Sequence, residues 1–139
     1  KFDGELIRTQ KYDYTYYLGA ESEEVLKKIS KILEQLYKSG KKISIRPHPR
    51  YSNMDIVKKI FAFANIENTA RISIEQSLLQ SGAAISLYST VLNQALCNSI
   101  PIIIDNVSNP ENFNKLKELG YVCLYKEHRL LSEVLEKSV

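Results

Sequence analysis

Residues 46–50 of the chain read Arg-Pro-His-Pro-Arg. Histidine is the side chain whose charge changes nearest neutral pH, so it can pass or hold a proton there. In this segment one histidine is bracketed by two prolines and then by two arginines. Each proline removes a backbone N–H and fixes φ. Each also drives its predecessor, Arg46 or His48, toward extended geometry. The imidazole of His48 is therefore expected to stand stiffly at the end of a strand, between two permanent cations. That combination suits a phosphate. Arg46 and Arg50 attract the dianion, Pro49 stiffens the turn, and His48 donates a hydrogen bond or proton to a departing phosphate oxygen. The plainer alternative is an exposed turn whose prolines only end a strand.

A second segment with chemistry is Ser86-Leu87-Tyr88-Ser89-Thr90. Hydroxyls between a strand and a helix can cap the helix, and they can also bind an anion beside its free N–H groups. Capping accounts for one of Ser89 and Thr90. It does not account for three hydroxyls and the tyrosine Tyr88 together, so Ser86, Tyr88, Ser89 and Thr90 are candidate phosphate contacts. Other residues read more plainly. His128, in Lys-Glu-His-Arg, reads as a solvated residue at a helix start, and Asp105 as a turn cap at the end of a buried strand. Tyr12, Tyr14, Tyr16 and Tyr17 read as strand packing. Cys97 and Cys123 sit in apolar company without metal-ligand spacing and read as buried, reduced thiols.

These segments need elements to position them. The aromatic, β-branched run Tyr12–Leu18 predicts a strand. Val25, Leu26, Ile29, Ile32, Leu33 and Leu36 follow helical spacing and predict a helix over 22–38, with Gly40 as its C-terminal cap. Lys42–Arg46 predicts a strand that delivers His48. A helix over 55–64 follows, with Ser52 and Asp55 at capping-box spacing. Ala70–Ser73 predicts a short strand, and Ser73 with Gln76 opens another helix through Gln80. Ala83–Leu87 predicts a small-residue strand, then a helix over 90–97. Pro101–Asp105 reads as a strand buried on both faces. Pro110 starts a helix that runs to Leu119, Tyr121–Tyr125 predicts the last strand, and 129–137 the last helix. Some six strand–helix alternations predict an α/β domain, a Rossmann-like parallel sheet of about six strands in order 3-2-1-4-5-6 with helices on both faces.

In such sheets ligands bind beyond the carboxyl ends of the strands, where strand order reverses. The rule selects the loops at Gly19-Ala20, 47–50, 87–90 and Asp105-Asn106. Only Gly19 stands where a dinucleotide fingerprint needs three glycines, and no Gly-Lys-Ser/Thr occurs, which argues against a nicotinamide dehydrogenase and a P-loop nucleotidase.

Composition agrees with one ordinary domain: 139 residues, 44% hydrophobic, 25% charged and a formal net charge of +3. A chain of this length buries enough surface to fold without disulfides or metal. Apolar runs such as Ile100–Ile104 are too short to span a bilayer. The lysines alternate with acids along helical faces, which argues against nucleic-acid binding. The chain begins with Lys1 rather than Met. The expectation is a piece of a longer protein, with residues 1–11 as a linker from a missing N-terminal domain and 12–139 as the folded domain.

The His-Pro motif of 46–50, followed about forty residues on by Ser86-Leu87-Tyr88-Ser89-Thr90, resembles the donor half of bacterial sialyltransferases of the lipooligosaccharide and polysialic acid families. Those enzymes share a His-Pro motif and a Ser-Ser/Thr motif on a two-domain GT-B architecture, whose C-terminal Rossmann-like domain binds CMP-sialic acid. The resemblance implies that His48 contacts the CMP phosphate and assists its departure, and that Ser89 and Thr90 hold phosphate oxygens. Residues 91–96 and 100–104 resemble the helix–strand step of GT-B donor domains, in which an acid near position 94 binds ribose; here that residue is Gln94. CDP-glycerol polymerases of teichoic acid synthesis and some capsule transferases carry similar loops. The sialyltransferases also carry an acidic-acidic-Gly motif that supplies the general base. Phe2-Asp3-Gly4 matches half of it, which points to a base in the missing N-terminal part, with Asp3 as the weaker candidate. The resemblance implies a metal-independent inverting transferase without a cofactor. Its partners are a nucleotide-sugar donor and a glycan acceptor bound through the missing domain. It further implies a cytoplasmic protein whose full-length form associates peripherally with the inner face of the bacterial membrane.

Overall fold

The computed structural model of the chain describes residues 10–86, 100, 102–105, 118 and 128–138. Within these, six parallel strands form one sheet in the order β3-β2-β1-β4-β5-β6. They are β1 Tyr12–Tyr17, β2 Ile43–Arg46, β3 Asn65–Ile66, β4 Ser81–Ser86, β5 Ile102–Ile104 and β6 His128–Leu130. Five have three or more residues, and β3 is a two-residue strand at one edge. Four helices accompany them: α1 Glu23–Lys38, α2 Met54–Ile60, α3 Ile74–Gln80 and α4 Leu131–Ser138. Among the described residues no helix is long and apolar enough to cross a membrane.

Strand alternation sends successive side chains to opposite faces, and two cores result. Tyr16, Ile45, Ile85 and Ile103 share one face with Ile29 and Leu33 of α1, Val57 of α2 and Leu131 of α4. Tyr17, Ala84, Ile102 and Ile104 share the other with Leu78 of α3. The sheet is thus covered on both faces, as its apolar central strands require. β1 and β4 are adjacent, Tyr16 standing opposite Ile85. Gly82 permits that approach, since a Cβ there would lie 2.9 Å from the Asp13 carbonyl oxygen.

Local signals set the longest helix. Ser22 Oγ accepts from the Val25 N–H at 3.3 Å, with Glu23 and Glu24 in the first turn. At the other end Gly40 has φ +98°, the Gly40 N–H donates to the Tyr37 carbonyl and the Lys41 N–H to the Leu36 carbonyl. This is the Schellman arrangement, and its left-handed residue favours glycine.

Three expectations are corrected. No strand forms over 70–73. Asn68 organises that segment as a turn, its Oδ1 accepting from the Ala70 N–H at 3.0 Å and its carbonyl from the N–H groups of Arg71 and Ile72. Local side-chain bonds of this kind compete with extended pairing, and the strand lies earlier, at β3. α2 is shorter than 55–64 and is capped by Asn53, not Ser52: Asn53 Oδ1 accepts from the Asp55 and Ile56 N–H groups. The chain leaves the helix at Phe61, whose ring is fully buried in the core. His128 belongs to β6 and does not open a helix, which starts at Leu131. The strand expected over 121–125, the helices over 90–97 and 110–119, and both cysteines lie outside the described residues.

Candidate functional site

All six strands run parallel, so their carboxyl ends lie along one edge of the sheet. The chain proceeds outward from β1 through β2 to β3, then returns to β4 on the other side of β1. The strand order therefore reverses between β1 and β4, the place where such sheets commonly bind their ligands. Gly19 follows β1, His48 follows β2, Ser86 ends β4 and Asp105 follows β5.

His48 is held by its own loop. Its N–H donates to Ser52 Oγ at 2.8 Å, and its carbonyl accepts from the Ser52 N–H at 3.2 Å. The imidazole is fixed as firmly. Nδ1 accepts from the Arg50 N–H at 3.1 Å and from the Tyr51 N–H at 3.3 Å. The Tyr51 ring stacks on it at 4.5 Å between centroids, 26° from parallel. With Nδ1 occupied as an acceptor, the proton of the neutral ring sits on Nε2. Nε2 has no hydrogen-bond partner among the described residues. Pro47 is buried, whereas Pro49 and Arg50 are exposed beside the ring.

Arg46 is placed differently from His48. Its Nη1 donates to the Ile72 carbonyl at 2.8 Å and pairs with Glu67 Oε1 at 3.5 Å, leaving the side chain 12% exposed. Glu67 is buried, and the Ser77 hydroxyl lies 2.7 and 2.9 Å from its two carboxylate oxygens. Burial pushes the Glu67 carboxyl above its usual range, with Ser77 and Arg46 opposing the rise. The network continues through Tyr17 Oη, 2.8 Å from Ser77 Oγ, to Ser81 and Thr15. Burial pushes the Tyr17 hydroxyl up to about 12. Arg46 thus joins the end of β2 to the segment between β3 and α3.

Gly19 and Ser86 have internal roles at the switch point. The Gly19 N–H donates to Glu21 Oε1 at 2.6 Å, and the buried Ser86 hydroxyl donates to the Tyr17 carbonyl at 3.3 Å, tying β4 to β1. Asp105 does more than end a strand: its Oδ2 accepts from the Tyr16 hydroxyl at 2.5 Å, with both residues fully buried. Tyr16 and Tyr17 pack in the two cores as expected and Tyr14 lies partly buried against one of them, whereas Tyr12 is half-buried and joins neither; Tyr16 and Tyr17 each also carry a buried hydrogen bond. Tyr88, Ser89, Thr90 and Asp3 lie outside the described residues.

Glu21, Tyr51 and Glu67 carry no expectation from the sequence, and Ser52 carries only that of a helix cap. Glu21 stands directly after the Gly19-Ala20 loop, and Tyr51 and Ser52 stand within four residues of His48, so local signals for them existed. Glu67 carried none, because its partner Arg46 lies on another strand. A cleft of about 190 Å³ lies between the loops that follow β1 and β2, lined by Gly19, Glu21, Leu26, Tyr51, Ser52 and Asn53, among others. A larger groove of about 560 Å³ lies in the helix layer between α1 and α2, with Lys27, Lys31 and Lys59 on its walls. Among the described residues no three His, Cys, Asp or Glu side chains converge as a metal site.

Comparison of the chain with protein-family models, with curated proteins and with solved structures gave no match.

Proposed function

We propose that this chain is the donor-binding domain of a metal-independent inverting glycosyltransferase of GT-B architecture, similar to bacterial sialyltransferases, which transfers sialic acid from CMP-sialic acid to a surface glycan. The observation that carries the reading is the His48 imidazole, fixed through Nδ1 and the Tyr51 stack at the carboxyl edge of a parallel sheet, which leaves Nε2 to donate. A ring held by two hydrogen bonds and a stack, on a main chain held by two more, is preorganised, and preorganised donors are what stabilise developing charge.

In this reading the CMP phosphate meets His48 and Arg50, and Ser89 and Thr90 are the further contacts that the likeness to the sialyltransferases implies, while the buried Ser86 hydroxyl ties β4 to β1. The bond from the anomeric carbon to the phosphate oxygen breaks, and its electron pair passes to that oxygen. The Nε2–H of His48 meets the growing negative charge. A neutral imidazole cannot surrender this proton without becoming an anion, so its contribution is a hydrogen bond, not proton transfer. An acceptor hydroxyl forms the new bond on the opposite face, and its proton goes to a base supplied by the acceptor-binding half of the full-length protein. Arg46, with Nη1 engaged by Glu67 and Ile72, anchors the end of β2 from which the His48 loop departs. The full-length protein works in the cytoplasm, at the inner face of the membrane.

An NMR titration of the chain with CMP, CDP and UDP tests the proposal. Selective shifts at His48, Tyr51 and Ser89 with CMP support it. Preference for CDP moves the reading to a CDP-glycerol type transferase, and preference for UDP to another nucleotide-sugar enzyme. Silence with all three makes the sheet a scaffold without a donor site.

A further inference from the structure

The groove of about 560 Å³ between α1 and α2 takes no part in the donor-site reading. The two helices run side by side in one direction. Glu23 of α1 and Ile56 of α2 both border the cleft between the loops that follow β1 and β2, and further along the Ser30 hydroxyl donates to the Ile60 carbonyl at 3.0 Å.

The groove is therefore charged in a definite order. Glu23 and Asp55, in the first turns of their helices, stand on its walls at one end. Lys31 and Lys59 stand toward the other end, both exposed, and neither has a salt-bridge partner among the described residues. Lys27 lies between and pairs with Glu23 at 3.5 Å. Ile56 and Ile60, half-buried against the core, give an apolar strip along the α2 side, to which the lysine stems add. From Glu23 to Lys31 the helix rises about 12 Å, so the acidic and basic ends lie about two turns apart.

A ligand that matches this pattern carries both signs at that spacing and an apolar stripe between them. A lone phosphate or carboxylate satisfies the lysines and leaves the acidic end unanswered. A second copy of this chain, meeting the face by two-fold symmetry, lays groove on groove and fills neither. A helix fills the groove, since helices seat side chains of one into the grooves of another. Acids favour a helix's first turn and bases its last, because each complements the helix dipole. Laid antiparallel to α1 and α2, such a helix sets its acidic start on Lys31 and Lys59 and its basic end on Glu23 and Asp55. Laid parallel, it meets like charge at both ends.

We propose that the α1–α2 groove docks an amphipathic helix of a partner protein, acidic in its first turn and basic in its last, running antiparallel to both helices. Nothing at His48 enters this docking, so it holds or fails apart from the donor site.

The test is NMR titration of the whole chain with two synthetic peptides of about 14 residues, long enough to overrun the groove. Both have one composition, one leucine stripe and the same staple locking the helix; one has glutamates first and lysines last, the other the reverse. The acid-first peptide should shift Ser30, Ile56 and Ile60 and bind at least roughly fivefold more tightly than its reverse. Lys31→Glu combined with Lys59→Glu should erase that preference. Lys28→Glu combined with Lys58→Glu makes the same change of net charge on the same helices outside the groove, and should leave the preference intact. Equal binding of the two peptides, or equal loss in the two double variants, means undirected charge attraction and overturns the proposal. So does silence at millimolar peptide. If the peptides are silent but phosphatidylglycerol vesicles bind and Lys31→Glu with Lys59→Glu releases them, the face is a lipid surface and the helix is overturned. If they are silent and sedimentation shows a dimer that the same variant dissociates, a second copy takes the helix's place.

Discussion

Ser52 grips His48 at both ends of the same residue, accepting from the His48 N–H with its hydroxyl at 2.8 Å and donating its own N–H to the His48 carbonyl at 3.2 Å. This pairing explains why Ser52 does not cap α2. Its hydroxyl is spent on the loop, and Asn53 takes the capping role. The loop and the helix start are thus set by two neighbouring side chains with separate tasks.

Removing the grip should loosen the site without unfolding the domain. Ser52→Ala strands the His48 N–H, at a cost of about 1 kcal/mol. Urea unfolding should show that loss, and amide exchange should quicken at residues 48–51 with little change in β1 or β4.

Replacing the imidazole separates its two nitrogens. In His48→Asn the side-chain oxygen can still accept from the N–H groups of Arg50 and Tyr51, but nothing replaces Nε2–H. The amide shifts of residues 50–52 should stay close to wild type while CMP affinity falls about tenfold, the effect of one hydrogen bond to a charged group. Equal CMP affinity in the variant would remove His48 from the phosphate site.

Arg46 and Glu67 form a pair with 12% and 0% side-chain exposure. Arg46→Met leaves the carboxylate buried without its cation, which costs about 3 kcal/mol. Adding Glu67→Gln should recover part of that loss, because the uncompensated charge is gone. Chemical denaturation of the two single variants and the double variant measures the coupling.

Acidity offers a separate check on Glu21. Its carboxyl is raised in the folded protein, chiefly by burial, so the native state binds this proton more tightly than the unfolded chain does. The stability it contributes is present in full below its ordinary value of 4.5 and fades as pH rises through the higher folded value. Glu21→Gln cannot titrate. Relative to wild type it should therefore gain stability as pH is raised from about 4.5 toward neutrality, read as the difference in urea midpoints. A difference that stays flat over that interval would contradict the raised carboxyl.

Much of the frame was legible because its signals act within a few residues. Ser73 and Gln76 bond one another as their spacing predicts, Oγ to N–H and Oε1 to N–H, each at 3.1 Å. Ser22 and Gly40 bound α1 for the same reason, and the His-Pro loop was found because prolines act on their neighbours. Where two local signals competed, the sequence reading chose wrongly. Ser52 and Asn53 both cap well, and only the position of the His48 backbone decides between them. Asn68 overrode the weak strand pattern of residues 70–73 in the same way.

The sequence by itself determined the strand–helix alternation of the α/β sheet, the Ser22 and Ser73 caps and the Gly40 stop of α1. Those features depend on hydrogen bonds and side-chain periodicity along one short stretch of chain. The tertiary structure alone decided that Arg46 turns to Glu67, that Tyr16 bonds Asp105 across the sheet, and that Glu21 lies with Tyr51 in one cleft. Each of these joins different strands or loops. Such contacts depend on register, on sheet order and on which polar groups burial forces to find a partner, and no local spacing encodes them.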